Sequence, residues 1–219
     1  WQRQLISVKD DAPDGVGYLI LRDTVLGGQA SQWHFWTLSE KIGAASQVAE
    51  RAKFLADAPG DKIAARSLLK GDRFTALGQF GMDLEYYIAS PSGTPRHTLR
   101  YGLNPQAADV PKFSEYQDLL QLTLPGDGSY FVALFPRKPD EEVPRFVTSG
   151  GGRVISIKAK WGIDHVFLCK NHSEAKGAEY AFVGTAASIQ NRGAGSLLLA
   201  LGAEGTVATK GFSLTAPFG

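Results

Sequence analysis

The stretch YLILRDTVLGGQASQWHFWTLSE, residues 18–40, determines how the rest of the chain is interpreted. It contains two apolar runs, Tyr18–Val25 and Gln32–Glu40, which are rich in β-branched and aromatic residues. Such runs predict β-strands, and the short segment Gly27–Gln29 between them predicts a turn. We therefore expect two adjacent strands joined by this turn.

The second of these strands carries large side chains on both of its faces. Alternation assigns Trp33, Phe35 and Thr37 to one face, and His34, Trp36 and Leu38 to the other. Because both sets are largely apolar, we predict a strand that is covered on each side by another layer.

The remainder of the chain repeats short apolar runs separated by glycine turns. The runs Gln117–Leu124 and Tyr130–Pro136 flank a tight turn at Pro125–Ser129, which predicts a β-hairpin. The segment Ala44–Ala58 has helical spacing and predicts one short surface helix. We therefore predict an all-β fold over residues 1–219, a single antiparallel β-sandwich of two packed sheets. It should contain about 12–16 strands and at most one or two short helices.

Composition narrows the classes of partner. The formal net charge is +1 and charged residues make up 21% of the chain, so neither nucleic acid nor a membrane surface is expected as a partner. The longest apolar run, Leu197–Leu201, is too short to cross a bilayer. The chain begins at Trp1 rather than Met, which fits a mature product or an excised fragment equally well.

Residue patterns predict no catalytic residue, metal site or cofactor. The one cysteine, Cys169, lies in an apolar run and is interpreted as a core residue rather than a nucleophile. The four histidines show no metal-binding spacing. For Asp164–His165 a structural hydrogen bond is favoured over a catalytic pair. For His34 a core or sheet-face role is favoured over a functional one.

Aromatic side chains are the remaining indication of function. Flat rings can stack on the apolar faces of sugar rings, although most large aromatics in sandwiches belong to the core. The aromatic residues that could line a sugar-binding face are Trp33, Trp36, Tyr86, Tyr87, Tyr101 and Trp161. Our candidate carbohydrate-binding residues are Trp33, His34, Trp36 and Trp161, and the alternative of a purely structural core stays open.

The order of these segments resembles the C-terminal β-sandwich of heparinase II/III-like polysaccharide lyases. The resemblance covers nearly the whole chain and is carried by strand patterns rather than by one diagnostic motif. The segments concerned are YLILRDTVLGG, WHFWTLSEKI, FGMDLEYYIASP, YFVALFPR, DHVFLCKN, YAFVGTAASIQNR and SLLLALGAEGTVATKGFSL.

The resemblance implies a function that this chain would share with a second domain. In that family a helical (α/α) toroid packs on the sandwich, and an acidic polysaccharide such as a glycosaminoglycan or alginate lies between them. The reaction is β-elimination at a uronic acid, for which the toroid supplies the tyrosine and the carboxylate-binding residues. A secreted or periplasmic location is also implied.

This sequence has no helical array of the toroid's size, so no catalytic residue of the family can be assigned to it. The expected role is support of the toroid and one wall of the substrate cleft, without catalysis by this chain alone. A free-standing carbohydrate-binding module is the main alternative, and a structural or adhesion sandwich is a third.

Overall fold

The computed structural model describes residues 1–10, 12, 15–45, 47–48, 50–56, 67–93, 96–101, 117–193 and 196–217, with the backbone alone for 97–101 and 196. Sixteen strands and one helix, Arg51–Ala56, make up this part of the chain. The prediction of an antiparallel, all-β sandwich is therefore confirmed. No helix among the described residues has the length and apolar character needed to span a membrane.

The strands are numbered in chain order. They are β1 Gln2–Lys9, β2 Gly17–Val25, β3 Ser31–Ala44, β4 Ser67–Leu69, β5 Arg73–Gly78, β6 Asp83–Ser90, β7 Arg96–Tyr101, β8 Gln117–Leu124, β9 Gly128–Arg137, β10 Arg145–Ser149, β11 Val154–Ala159, β12 Gly162–Lys176, β13 Ala181–Arg192, β14 Ser196–Leu201, β15 Gly205–Thr209 and β16 Phe212–Ala216. Within the segment predicted as a helix, Ala44 ends β3 and Arg51–Ala56 is the helix, α1; residues 46, 49, 57 and 58 lie outside the described residues.

The larger sheet has nine strands in the order β1-β2-β9-β6-β5-β3-β8-β7-β4. Strands β1, β2, β9, β6 and β5 form one half of this sheet, and β8, β7 and β4 form the other. Strand β3 connects the two halves, because its first part pairs with β8 and its second part pairs with β5. The partner strand changes between Leu38 and Ser39, and the register with β5 shifts between Ser39 and Lys41. A shift of this kind bends a strand and increases its twist, which lets one sheet turn back over itself.

The two halves of this sheet enclose the first hydrophobic core. Trp33 of β3, Leu122 of β8 and Val132 of β9 belong to one buried cluster, although three strands separate β8 from β9 in the sheet. Tyr130 of β9 bridges the halves directly. Its hydroxyl donates to the Ser31 carbonyl at 2.7 Å and accepts from the Leu124 amide at 3.1 Å.

The second sheet has seven strands, in the order β10-β11-β12-β13-β15-β16 with β14 paired to β13. It packs on the other face of the larger sheet, where Ile20 and Phe131 meet Ile155 and Val166 in a second core. A third buried cluster on its far face contains Phe167 of β12, three residues of β13 and Val207 of β15. The molecule is therefore built from stacked antiparallel layers.

Two expected strand pairings are wrong. Strands β2 and β3 are not neighbours, and β8 and β9 do not form a hairpin. Both connections instead pass from one half of the larger sheet to the other across the core. The two turns meet where the Gly28 amide donates to Asp127 Oδ1 at 2.7 Å. Turn residues predict that the chain reverses its direction. Here each reversal joins strands that face each other across the first core, rather than neighbouring hydrogen-bonded strands.

The expectation that β3 is covered on both faces is also wrong. Trp33 lies in the core, whereas Gln32, His34, Trp36 and Leu38 on the opposite face are exposed. The first part of β3 therefore belongs to an outer layer. Its outward face carries the large apolar side chains of Trp36 and Leu38, which is unusual because the outer face of an antiparallel sheet is normally polar.

Candidate functional site

The outer surface of β3 and β8 presents an aromatic side chain beside three hydrogen-bonding ones. We call the residues Gln32, His34, Trp36 and Leu38 of β3, together with Gln121 of β8, the β3/β8 face. The side chain of Trp36 keeps 46% of its surface exposed. A β-strand rises about 3.3 Å per residue, so Gln32 and Trp36, which are four residues apart, lie roughly 13 Å from each other along β3.

Hydrogen bonds hold the polar end of the β3/β8 face in one arrangement. The register places His34 directly opposite Gln121. The Gln121 amide nitrogen donates to Gln32 Oε1 at 2.7 Å and lies 2.8 Å from His34 Nε2. His34 Nε2 lies 3.2 Å from the same Gln32 oxygen. These contacts reduce the number of rotamers open to the three side chains, so a ligand would meet a largely ordered surface.

The chemistry of the β3/β8 face suits a hydroxyl-rich ligand. An indole ring offers a flat apolar surface that covers the C–H face of a pyranose ring. Amide and imidazole groups donate to and accept from hydroxyl and carboxylate oxygens. Gln32, His34 and Trp36 follow one another along one face of β3, so an extended ligand could contact them together.

The sequence-predicted site residues fall into three different places. His34 and Trp36 lie together on the β3/β8 face. Trp33 points the other way, keeps only 5% of its surface exposed, and stacks on Phe35 with ring centroids 5.6 Å apart. It belongs to the first core, so we leave it out of the candidate site.

Trp161 lies on the second sheet, in the turn between β11 and β12. The Arg192 guanidinium sits over its ring at 4.8 Å from the centroid. The same guanidinium donates to Asp164 at 2.9 Å, and the Tyr18 hydroxyl donates to that carboxylate at 2.6 Å. Burial raises the pKa of Asp164, and these two hydrogen bonds oppose the effect. Trp161 thus covers a buried polar cluster and is separate from the β3/β8 face.

Three other residues singled out in the sequence lie in the hydrophobic cores. Tyr86 and Tyr87 are buried, and the side chain of Tyr101 lies outside the described residues. Cys169 is a buried core residue, as expected, and burial raises the pKa of its thiol. Among the described residues no group of three or more histidine, cysteine or acidic side chains could hold a metal ion.

The expected structural hydrogen bonds at Asp164–His165 are present. The two side chains point to opposite faces of β12, and His165 Nδ1 lies 2.8 Å from Ser156 Oγ on β11. Glu179 approaches His165 Nε2 at 3.9 Å. Serine, histidine and carboxylate are the components of a nucleophilic triad, but the His165 ring is buried against Tyr180 at 4.9 Å between centroids. Little of the ring is open to a substrate.

Sequence reasoning missed Gln32 and Gln121. Gln32 lies two positions before His34, so strand alternation would have found it. Gln121 is distant in sequence, and its contribution depends on the pairing of β3 with β8. The alternation of Gln121 and Thr123 with leucines was visible in the sequence, but the partner strand was not.

Comparisons of the chain with protein-family models, with curated proteins and with solved structures found no match.

Proposed function

We propose that this chain is the β-sandwich part of a heparinase II/III-like polysaccharide lyase, and that its β3/β8 face contacts an acidic polysaccharide. The observation that carries this proposal is the exposed Trp36 ring in line with His34 and Gln32 on an outer sheet face. The resemblance of the strand segments to the sandwich of those lyases supports the assignment of class.

In this proposal the chain binds and positions the polymer without cleaving it. β-Elimination needs a group that neutralises the uronic carboxylate and a base that removes the C5 proton. The toroid domain of the same protein would supply both, and the sandwich would support that domain and form one wall of the cleft. The protein would act outside the cytoplasm, in the periplasm or as a secreted product.

A free-standing carbohydrate-binding module is the second candidate. The same observation favours it, because Trp36 and the hydrogen-bonded polar group need no second domain to meet a sugar. The gene sequence upstream of Trp1 distinguishes the two. A helical toroid encoded there supports the lyase class, and a different domain contradicts it.

Affinity electrophoresis of the chain in gels containing heparin, heparan sulfate or alginate tests binding. We expect at least one of these acidic polymers to retard the chain more than neutral dextran does. Equal migration in all gels would contradict the proposal. Incubation with the same polymers, followed by ultraviolet absorbance, should detect no unsaturated product, and its formation would contradict the non-catalytic role.

A further inference from the structure

The strand orders of the two sheets end in β1, β4, β10 and β16, and β16 lacks the protection that the other three have. The free N–H and C=O groups of an edge strand can pair with another chain, and proteins block this with charges, prolines or very short strands. Strand β1 carries Arg3 and Lys9, β10 carries Arg145, and β4 has only three residues. Strand β16, with the sequence FSLTA, has five residues and neither a charge nor a proline.

The backbone groups of Ser213 and Thr215 in β16 point away from the rest of the sheet. Phe212 lies opposite Thr209 of β15, and the two residues close a two-residue turn. The closing pair of such a hairpin is hydrogen-bonded, and hydrogen-bonded pairs then alternate along an antiparallel ladder. Phe212 and every second residue after it therefore bond to β15, so the N–H and C=O groups of Ser213 and Thr215 face outward. Among the described residues, β15 is the only strand paired with β16.

Two apolar side chains of β16 are exposed beside the third core. Phe212 keeps 63% of its surface exposed, and Leu214 keeps 40%. Leu214 lies opposite Val207, a fully buried member of that core. Residues that lie directly opposite each other project from the same face of a sheet. The third core therefore reaches the edge of the sheet at Leu214, where another strand would cover it.

We propose that β16 pairs with β16 of a second copy of this chain, in an antiparallel arrangement with a two-fold axis at Leu214. In this register Ser213 lies opposite the partner subunit's Thr215, and each such pair exchanges both of its outward N–H···O=C bonds. Leu214 meets the partner subunit's Leu214, and Phe212 lies opposite the partner subunit's Ala216. The contact uses the same strand in both copies, so the assembly closes as a dimer.

The charges of this hairpin favour a second copy as the partner. Because β16 carries no charge, pairing it with itself brings no like charges together. Lys210 lies in the turn of the β15–β16 hairpin, and Glu204 lies at its open end. Two-fold symmetry places each Lys210 at the same end of the joined sheet as the partner subunit's Glu204, which is a complementary arrangement.

This edge belongs to the second sheet and includes no residue of the β3/β8 face. The inference therefore holds whether or not that face binds a polymer.

Sedimentation equilibrium of the chain at several concentrations tests the dimer. Five residues on each side bury less area than a standard interface does, so we expect a Kd of about 100 µM. The weight-average mass should rise from 23.6 kDa toward twice that value between about 10 µM and about 1 mM. A chain that stays monomeric over this range would overturn the proposal.

Two variants of β16 test its part in the contact. Leu214→Lys brings two like charges together at the axis, and Ser213→Pro removes an outward N–H that β15 does not use. Each should weaken dimerisation about tenfold or more. Leu5→Lys is the matched control, because Leu5 is 52% exposed on β1, and it should dimerise as the unaltered chain does. Equal dimerisation of Leu214→Lys and Leu5→Lys would overturn the proposal.

Cysteine cross-linking tests the register and keeps the backbone of β16 unchanged. In the proposed pairing the Cα atoms of the two Leu214 residues lie about 4.5 Å apart, within the range of a disulfide, so Leu214→Cys should form a covalent dimer in air. Phe212→Cys is the control and should not, because the two Phe212 residues lie roughly 13 Å apart along the strands. Cys169, the one native cysteine, is buried. Failure of Leu214→Cys to cross-link, or equal cross-linking of Phe212→Cys, would overturn the two-fold register.

Discussion

The Gln121 amide nitrogen lies 2.8 Å from His34 Nε2, across the paired strands β3 and β8. Gln121 is largely buried and His34 is exposed, so the contact ties an exposed side chain of β3 to a buried side chain of β8. Because Gln121 also donates to Gln32, one amide fixes two side chains of the β3/β8 face. The polar part of the candidate site is thus organised by a residue on a neighbouring strand.

The contact between His34 and Gln121 should be measurable as a coupling energy. We expect a double-mutant cycle of His34→Ala and Gln121→Ala to give about 1 kcal/mol, the net value of one hydrogen bond. Urea unfolding of the four proteins measures it. His34→Ala combined with Trp1→Ala is the matched control and should be additive within about 0.5 kcal/mol. Additivity in both cycles would contradict an ordered face.

The sequence of β3 predicted a strand and its alternation correctly, within a few residues at the end. Trp33 and Trp36 were correctly assigned to opposite faces. Which of these faces meets solvent could not be predicted, because His34, Trp36 and Leu38 are about as apolar as the opposite set. Which face of β3 is buried depends on how the two halves of the larger sheet stack on each other. That stacking is set by contacts between strands that are far apart in sequence.

Long-range contacts explain the other misses as well. Arg192 covers Trp161 across 31 positions of the sequence, and Thr148 of the second sheet reaches Tyr87 of the first. Local periodicity contains no information on such pairs. The two incorrect strand pairings have the same origin, since a glycine turn permits reversal both within a sheet and across a core.

The Tyr130 hydroxyl should contribute strongly to stability, because it joins the two halves of the larger sheet. Tyr130→Phe removes its bonds to Ser31 and to the Leu124 amide while keeping the ring. We expect the free energy of unfolding to fall by about 1–3 kcal/mol in urea titrations. Tyr180→Phe, which loses one bond to Ser149, should cost less. Equal costs would contradict the larger contribution expected of the Tyr130 hydroxyl.

A buried ionic group should make Arg137 important for stability. Its guanidinium contacts Glu85 at 2.8 Å and Asp83 at 3.6 Å, and all three residues are buried. Arg137→Met leaves the Glu85 carboxylate without its cation, so we expect a loss of about 3–5 kcal/mol in urea titrations.

Lys53→Met provides a comparison for Arg137→Met, because Lys53 and its partner Glu50 are both largely exposed. It should change stability by less than about 1 kcal/mol. A similar small change for Arg137→Met would indicate that the buried carboxylates need no cation.

Stability should depend on pH through His165. Burial lowers the pKa of this imidazole below its ordinary value of 6.5, and Glu179 only partly offsets the effect. As the pH falls below 6.5, the unfolded chain takes up the proton first, so the folded state loses stability until the folded pKa is passed. We therefore expect the unaltered chain to lose more stability than His165→Gln between about pH 7.5 and about pH 5.

Urea midpoints of both proteins across this range measure the difference. Asp164 is present in both, so its own titration cancels in the comparison. Parallel pH profiles would contradict a buried, neutral His165.

The most direct test of the polysaccharide-contact proposal compares Trp36→Ala with Trp1→Ala in affinity electrophoresis. Both residues expose their rings, at 46% and 74%, but only Trp36 belongs to the β3/β8 face. We predict that Trp36→Ala reduces retardation by the acidic polymer about tenfold, whereas Trp1→Ala leaves it unchanged. Unchanged retardation of Trp36→Ala, or equal losses in the two variants, would contradict the proposal.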